Sequence, residues 1–454
     1  MNPEEQTRRH FLKTTAGLTA LTALASCTTT YPSKTPSDDF RFVQIGCGGK
    51  GNSDITAVIR GGGKLIAMCD VDKRRAAKSL KKFPDLPFYA DYRVMLEKHH
   101  EEIDGVVVTT PDHSHACIAL DAIQRGKHVY VQKPLARTFE ECQILLDAAK
   151  KHKVVTQMGN HGHSGSGLRL WEKMMADNAF GDILHINSWT DRPIWPQGME
   201  SAPEPSEIPK EVSWDKWLGP AKEREYCKEY LPFAWRGWWD FGCGAIGDMA
   251  VHNMDPAFWI LKLGLPSKIK AQASSPAGVA YPEWSIIDFT FDKSPVTGKP
   301  VTITWYDGKK LPKMPEGSNP SLTPGTNGCM VIGSKMSVKG GESAGRPLPI
   351  SITGKKYSKD GVKTAEKYWR AESKKLPGNS HHKQWVDAAK AGDNNACGAN
   401  FEYSAPFVQA LLLGAIALRY PGEELIFDVE KKRFTKEDAN QWLSSTARKG
   451  YKIK

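Results

Sequence analysis

No apolar run in this chain reaches the roughly 20 residues that a membrane-spanning helix requires, no P-loop is present and no segment repeats itself. Those absences set aside a helical membrane channel, a P-loop nucleotidase and a solenoid. The nine cysteines include no C-x-x-C pair and no zinc-like spacing, so no metal site is expected. Several of them (Cys47, Cys69, Cys117, Cys243) sit in apolar or glycine-turn contexts, where free buried thiols are common. Clustered charge is missing too. The formal net charge is +11, but the surplus lies in scattered pairs such as Lys309-Lys310 and Lys374-Lys375. That pattern reads as a solvated basic surface and argues against a nucleic-acid partner.

What is present begins with Thr7-Arg8-Arg9-His10-Phe11-Leu12-Lys13, a twin-arginine export signature. The apolar stretch after it, residues 14–26, is too short to span a bilayer and reads as a signal h-region. It closes on Leu24-Ala25-Ser26-Cys27, a lipobox-like sequence in which Cys27 would be lipidated and become the mature N-terminus. Residues 1–27 are therefore expected to be a signal peptide, and the Ser/Thr/Pro-rich residues 28–39 a flexible tether. The expected location is the periplasm, with the protein anchored to a membrane through lipid. Export of folded cargo also fits the few evident disulfides, because folding then takes place in a reducing compartment.

Residues 40–153 alternate short apolar runs with helical patterns, the signature of a parallel βαβ sheet. The run at 42–45 leads into Gly46, Gly48, Gly49, Lys50 and Gly51, a G-x-G-x-x-G turn whose backbone amides and following helix suit a pyrophosphate. A second apolar run, residues 64–69, ends in Asp70, about 20 residues past the glycines. A carboxylate there favours NAD over NADP, although Lys73-Arg74-Arg75 nearby could hold a phosphate instead. The continuous apolar run at 105–110 ends in Thr110, Pro111, Asp112 and His115, at the carboxyl end of a strand where doubly wound sheets bind ligands. The strand at 128–131 ends in Gln132 and Lys133.

The glycine turn, the strand-end Asp, T-P-D-x-x-H and x-K-P-L, in this order, resemble the Gfo/Idh/MocA family, named for glucose–fructose oxidoreductase, inositol dehydrogenase and a rhizopine-catabolism protein. The resemblance extends from residue 40 to about 440. It implies an α/β fold: an N-terminal Rossmann dinucleotide-binding domain over 40–160, then an α+β domain with a large open mixed sheet over 161–454, which handles substrate and oligomerisation. It also implies NAD as cofactor and a homo-oligomer, dimer or tetramer; export away from any pool of free NAD implies that the cofactor stays tightly bound. Lys133 takes the place of the family lysine near the nicotinamide and the reacting hydroxyl, and Asn160 would contact the nicotinamide ribose. Gln132 stands where the family usually has Glu, which removes a carboxylate neighbour from Lys133.

In the second domain, His161 and His163 are expected to face the cleft, as are Arg192, Trp235 and Arg236. The stretch between 193 and 245 is long, irregular and rich in Trp and Pro, as in a binding loop or cap, and clustered Trp suits carbohydrate. Asp248 and His252 are spaced i, i+4, which places both on one helical face. That spacing lets a carboxylate orient an imidazole able to take a hydroxyl proton, and the family's D-x-x-x-H pair matches these two positions. Lys133, Asp248 and His252 are thus the expected catalytic residues. Three functions follow from the resemblance. The first is a sugar or glycoside oxidoreductase that recycles its cofactor within each cycle. The second is an NAD-dependent glycoside hydrolase like family 109, acting on host or dietary glycans by oxidation, elimination, hydration and reduction. The third is an inactive glycan-binding lipoprotein. Family 109 departs from the K-P motif retained here, which places the oxidoreductase first.

Overall fold

The computed structural model describes residues 39–274, 278–352, 359–451 and 453. The signal, the lipobox with Cys27 and the tether lie outside the described residues. The first sheet has six parallel strands: β1 (Phe40–Ile45), β2 (Gly63–Cys69), β3 (Phe88–Tyr89), β4 (Gly105–Val108), β5 (His128–Val131) and β6 (Thr156–Met158). Their order is β3-β2-β1-β4-β5-β6. β4 is buried along its whole length, as its unbroken valines require of a sheet covered on both faces. The order reverses between β1 and β4, and there the strand ends open a crevice.

The second sheet has nine strands: β7 (Ile183–Thr190), β8 (Lys268–Ala273), β9 (Ser285–Phe291), β10 (Val301–Tyr306), β11 (Asn327–Gly333), β12 (Met336–Gly340), β13 (Leu348–Ile352), β14 (Glu424–Asp428) and β15 (Arg433–Phe434). They run in the order β13-β12-β11-β7-β10-β9-β8-β14-β15. β7 and β10 pair in parallel and the other neighbours are antiparallel. In β8 the buried Ile269 and Ala271 alternate with exposed Lys268, Lys270 and Gln272, the pattern of a strand with one packed face.

Helix Phe401–Ala417 joins the two layers. It is buried nearly end to end and packs against helix Phe139–His152, β6, β8 and β9. Its apolar residues belong to one core with those of β4, β9 and β10. The stretch 193–245 holds a short α-helix, Trp214–Leu218, and a 3-10 turn, Ala234–Gly237, and its aromatic residues make a satellite core of their own. Trp214, Trp217, Tyr230, Trp238 and Phe241 pack together, so most of these indoles serve packing. Residues 307–378, which carry little sequence signal, supply β11, β12, β13 and helix Lys359–Ser373.

Candidate active site

The glycine turn follows β1 directly. Gly46 has φ +82°, and a Cβ there would lie 2.2 Å from Thr109 O; one on Gly51 would lie 1.9 Å from Gly46 O. Only glycine permits both close approaches. Helix Lys50–Arg60 starts at Gly49 with no side-chain cap, which leaves its amino end available to an anion. Asp70 accepts from Cys47 N–H at 2.8 Å and from Asp72 N–H at 3.0 Å, so the turn is tied to the end of β2.

A cavity of about 620 Å³ opens along these strand ends. Gly46, Gly48, Gly49, Lys50, Asp70, Thr110, Pro111, Asp112, Gln132 and Lys133 line it, and so do His161, Trp235, Arg236 and His252. Its volume and mixed lining suit a ligand of dinucleotide type. Gly51, His115, Asn160, His163, Arg192 and Asp248, also expected at the site, do not line it, Asp248 standing behind Lys133. Gly51 and His115 shape the walls from behind: His115 Nδ1 faces Pro134 O at 2.8 Å and Nε2 faces Thr110 O at 2.9 Å. The T-P-D-x-x-H and K-P segments are therefore one hydrogen-bonded unit. His163 is fully buried and its Nδ1 lies 3.0 Å from Asp255 Oδ1, whose carboxylate also accepts from Tyr403 Oη at 2.5 Å. That triad belongs to the interior. Arg192 contributes its carbonyl to Gly308 N–H at 2.6 Å and supports a turn.

Lys133 Nζ lies 2.5 Å from Asp248 Oδ1 and donates to Asp248 O at 3.0 Å. Arg236 Nε lies 3.5 Å from the same carboxylate oxygen, and its Nη1 lies 3.2 Å from Asp112 Oδ1. The Asp112 carboxylate is anchored further by Cys243 N–H at 3.0 Å. The carboxylate of Asp248 thus orients Lys133, contrary to the expected orientation of His252. His252 is instead held by Asn160, with Nδ1 3.0 Å from Asn160 Oδ1. The backbone explains the exchange of partners. Residues Ile246–Ala250 form a π-helical turn, and a separate short helical turn, Val251–Asn253, follows. The regular i, i+4 pairing is lost where the helix widens.

Burial opposes ionisation of Asp248, but the charges of Lys133 and Arg236 outweigh it and hold its carboxyl well below the usual carboxylate range. Burial, aided by Arg236 and opposed by Asp248, draws the Lys133 ammonium down. Burial and the Lys133 charge push His252 well below its ordinary value. His252 is therefore neutral, and an acceptor at Nδ1 makes Nδ1 the protonated nitrogen, leaving the Nε2 lone pair free.

Gln132, where the family motif has Glu, donates from Nε2 to Asp54 Oδ2 at 2.9 Å. Asp54 is fully buried and also accepts from Thr109 Oγ1, Lys50 Nζ and His382 Nε2 at 3.0, 2.6 and 3.0 Å. Burial alone would raise it; the His382 hydrogen bond and the Lys50 charge bring it down to about 2. The carboxylate missing at 132 thus stands on the first helix. Asp54, His161 and His382 offer ligand atoms within 4.8 Å of one another, but the Lys50 ammonium already fills the cation position on Asp54. Of the basic run 73–75 that could hold a phosphate, Arg75 lines the cavity, whereas Tyr92, Lys216, Trp217 and Tyr451 are cavity residues that sequence reasoning missed. Lys216 and Trp217 lie in the Trp-rich stretch taken as a cap, whereas Tyr451 carried no signal.

A glycine turn at a Rossmann switch point thus shares one cavity with Lys133, which pairs with Asp248, and with a neutral His252, the layout of a candidate nucleotide site beside candidate acid–base groups. Residues 40–160 match the Gfo/Idh/MocA model described as an oxidoreductase family with an NAD-binding Rossmann fold. Residues 186–297 match that family's C-terminal alpha/beta domain. The chain belongs to the Gfo/Idh/MocA oxidoreductase family, and its residues 5–25 match the twin-arginine translocation signal. The α-N-acetylgalactosaminidase of Shewanella oneidensis is 32% identical over 205 residues, 39% of this chain and 44% of that protein. The levoglucosan dehydrogenase of Pseudarthrobacter phenanthrenivorans is 27% identical over 203 residues, 44% of this chain and 42% of that protein. The chain thus spans less than half the length of these curated relatives. The fold is shared with the WlbA dehydrogenase of Chromobacterium violaceum, solved with NADH and UDP-GlcNAcA. That structure is 18% identical, with a TM-score of 0.60, and the match covers 88% of this chain and 99% of that one.

Proposed function

We propose that this protein is an exported NAD-dependent oxidoreductase that acts on a hydroxyl of a sugar or glycoside and keeps its cofactor through each cycle. One observation carries the reading: the glycine turn, Lys133 (held from behind by Asp248) and neutral His252 open on the same cavity. NAD, when held by the glycine turn and Asp70, supplies the two-electron acceptor. His252 offers Nε2 to the hydroxyl proton, with Asn160 fixing the ring from behind. Lys133, oriented by Asp248, stabilises the oxygen as it gains negative charge. Trp235, with the Arg236 guanidinium 4.4 Å over its ring, presents an aromatic and hydrogen-bonding wall to a sugar. Beyond the inner membrane there is no free NAD to exchange. Each turnover therefore ends with the cofactor restored, by reduction of a second carbonyl compound or of the same sugar.

The second reading, an NAD-dependent glycosidase, is favoured by the likeness to the Shewanella α-N-acetylgalactosaminidase. There the same three residues begin the cycle, and the ketone formed acidifies its neighbouring C–H so that the aglycone leaves before water adds. The convergence of Lys133, Asp248 and His252 weighs against an inactive glycan binder. Attachment to a membrane through Cys27 and assembly into a dimer or tetramer belong to this proposal as well. Absorbance near 340 nm during addition of glycosides separates the readings. A rise supports the oxidoreductase, and aglycone release without a net rise supports the glycosidase. A purified protein that carries no nucleotide and answers no glycoside would be a binding module, and the proposal would fail.

A further inference from the structure

One end of the cavity is closed by residues distant in sequence. Asp70, Tyr92, Lys216 and Trp217 line it together with Tyr451. The carboxylate at the end of the second Rossmann strand marks this as the adenosine end. Two segments cross there. Residues 211–213 are hydrogen-bonded to the loop after β2, with Lys73 N–H donating to Glu211 O at 3.2 Å and Ser213 N–H to Val71 O at 2.8 Å.

The second segment, residues 448–451, bridges this cap and the Rossmann domain. Arg448 Nη1 lies 2.6 Å from Asp215 Oδ1, Nη2 donates to Asp215 O at 2.6 Å and Nε to Gly219 O at 3.1 Å. Its backbone N–H donates to Pro220 O at 3.0 Å. On the Rossmann side, Arg93 Nη1 donates to Gly450 O at 3.2 Å and its guanidinium lies 4.7 Å from the Tyr451 ring centroid. Tyr451 is only 8% exposed, held between these anchors with its surroundings opening on the cavity.

We propose that residues 448–451 complete the cofactor site. Tyr451 forms the wall at the adenosine end, and the segment is a latch that must peel away before the dinucleotide leaves. The inference rests on reading the cavity as an NAD site, and it gives retention a physical basis. The escape rate becomes the rate at which the Arg448–Asp215 and Arg93–Gly450 anchors open together. The Arg448–Asp215 contact at 2.6 Å is the shorter, charge-assisted anchor, and the Arg93–Gly450 bond at 3.2 Å is the longer one.

The test compares the full chain with three variants: a chain ending at Ala447, Tyr451→Ala and Asp215→Ala. The last removes an anchor without touching the cavity lining. Circular dichroism selects the folded variants. NAD per chain is counted by chromatography after acid release, and its escape is timed with alcohol dehydrogenase and ethanol, which convert released NAD to NADH. The parent is expected to keep about one NAD per chain through gel filtration, and folded variants to lose it at least tenfold faster. Folded variants that release NAD as slowly as the parent overturn the latch and leave the NAD reading intact. A parent that neither carries nor binds NAD overturns both.

Discussion

At the scale of single residues, the site is a set of charges and one neutral ring whose states are fixed by burial. His252→Ala is expected to lower turnover by about 10²–10⁴-fold, the usual worth of a general base. Lys133→Met should lose turnover comparably, and both should still carry NAD, which nucleotide counting checks. The pH profile follows from the shifts. His252 stays unprotonated as pH falls through 6.5, so the acid limb of kcat/KM lies below 6.5. Lys133 is drawn below 10.5, so the alkaline limb lies below that of an ordinary lysine. Asp248→Asn removes the charge that supports the ammonium and should move the alkaline limb further toward acid. Stability obeys the same linkage. Unfolded His252 binds a proton below 6.5 and the folded ring does not, so this contribution is lost as pH drops below 6.5. Asp54, depressed to about 2, contributes above the unfolded carboxylate range, and that contribution is lost as pH falls through about 2. Gln132→Glu would restore the family motif, yet it sets a second carboxylate against Asp54. Its melting temperature should drop at neutral pH and recover as pH falls toward 4, measured by thermal unfolding.

At the scale of elements, the turns matter more than the strands. Gly51→Ala would force a Cβ to within 1.9 Å of Gly46 O, so the first helix has to shift away from β1. The variant is expected to purify without NAD while keeping its helical signal, read by nucleotide content and circular dichroism. The Rossmann half was legible because β2, β4 and β5 carry apolar runs, and β1, β2, β4 and β5 lead into chemically distinctive residues: Gly46, Asp70, Thr110 and Lys133. The second half was less so. Asp248 and His252 read as a helical pair because sequence spacing assumes 3.6 residues per turn, and the π-helical turn at Ile246–Ala250 breaks that assumption. His163 looked like a ligand because it sits two residues from His161. The turn between them sends one ring to the cavity and the other to Asp255 in the core. Tyr451 was invisible because the hydrogen bond that anchors its neighbour Gly450 to Arg93 spans 357 residues, and no local pattern encodes so remote a contact.

At the scale of the whole molecule, export and folding meet in the thiols. The eight described cysteines, all but Cys27, are free and buried, and burial pushes several of them well above the ordinary thiol range. Thiolates are the reactive form, so the folded protein should pass into an oxidising compartment unchanged. Maleimide labelling is expected to find none of these eight groups in the native protein and all eight after denaturation. Rapid native labelling would contradict the burial pattern.

The sequence of side chains Asp112, Arg236, Asp248 and Lys133 alternates in sign, two negative and two positive, with His252 neutral beside it. Such a ladder cancels itself. At the ladder itself a neutral hydroxyl can be bound without disturbing either ion pair, while Lys50, Arg75 and Lys216 elsewhere on the cavity lining supply the positive charge that an anionic ligand would meet.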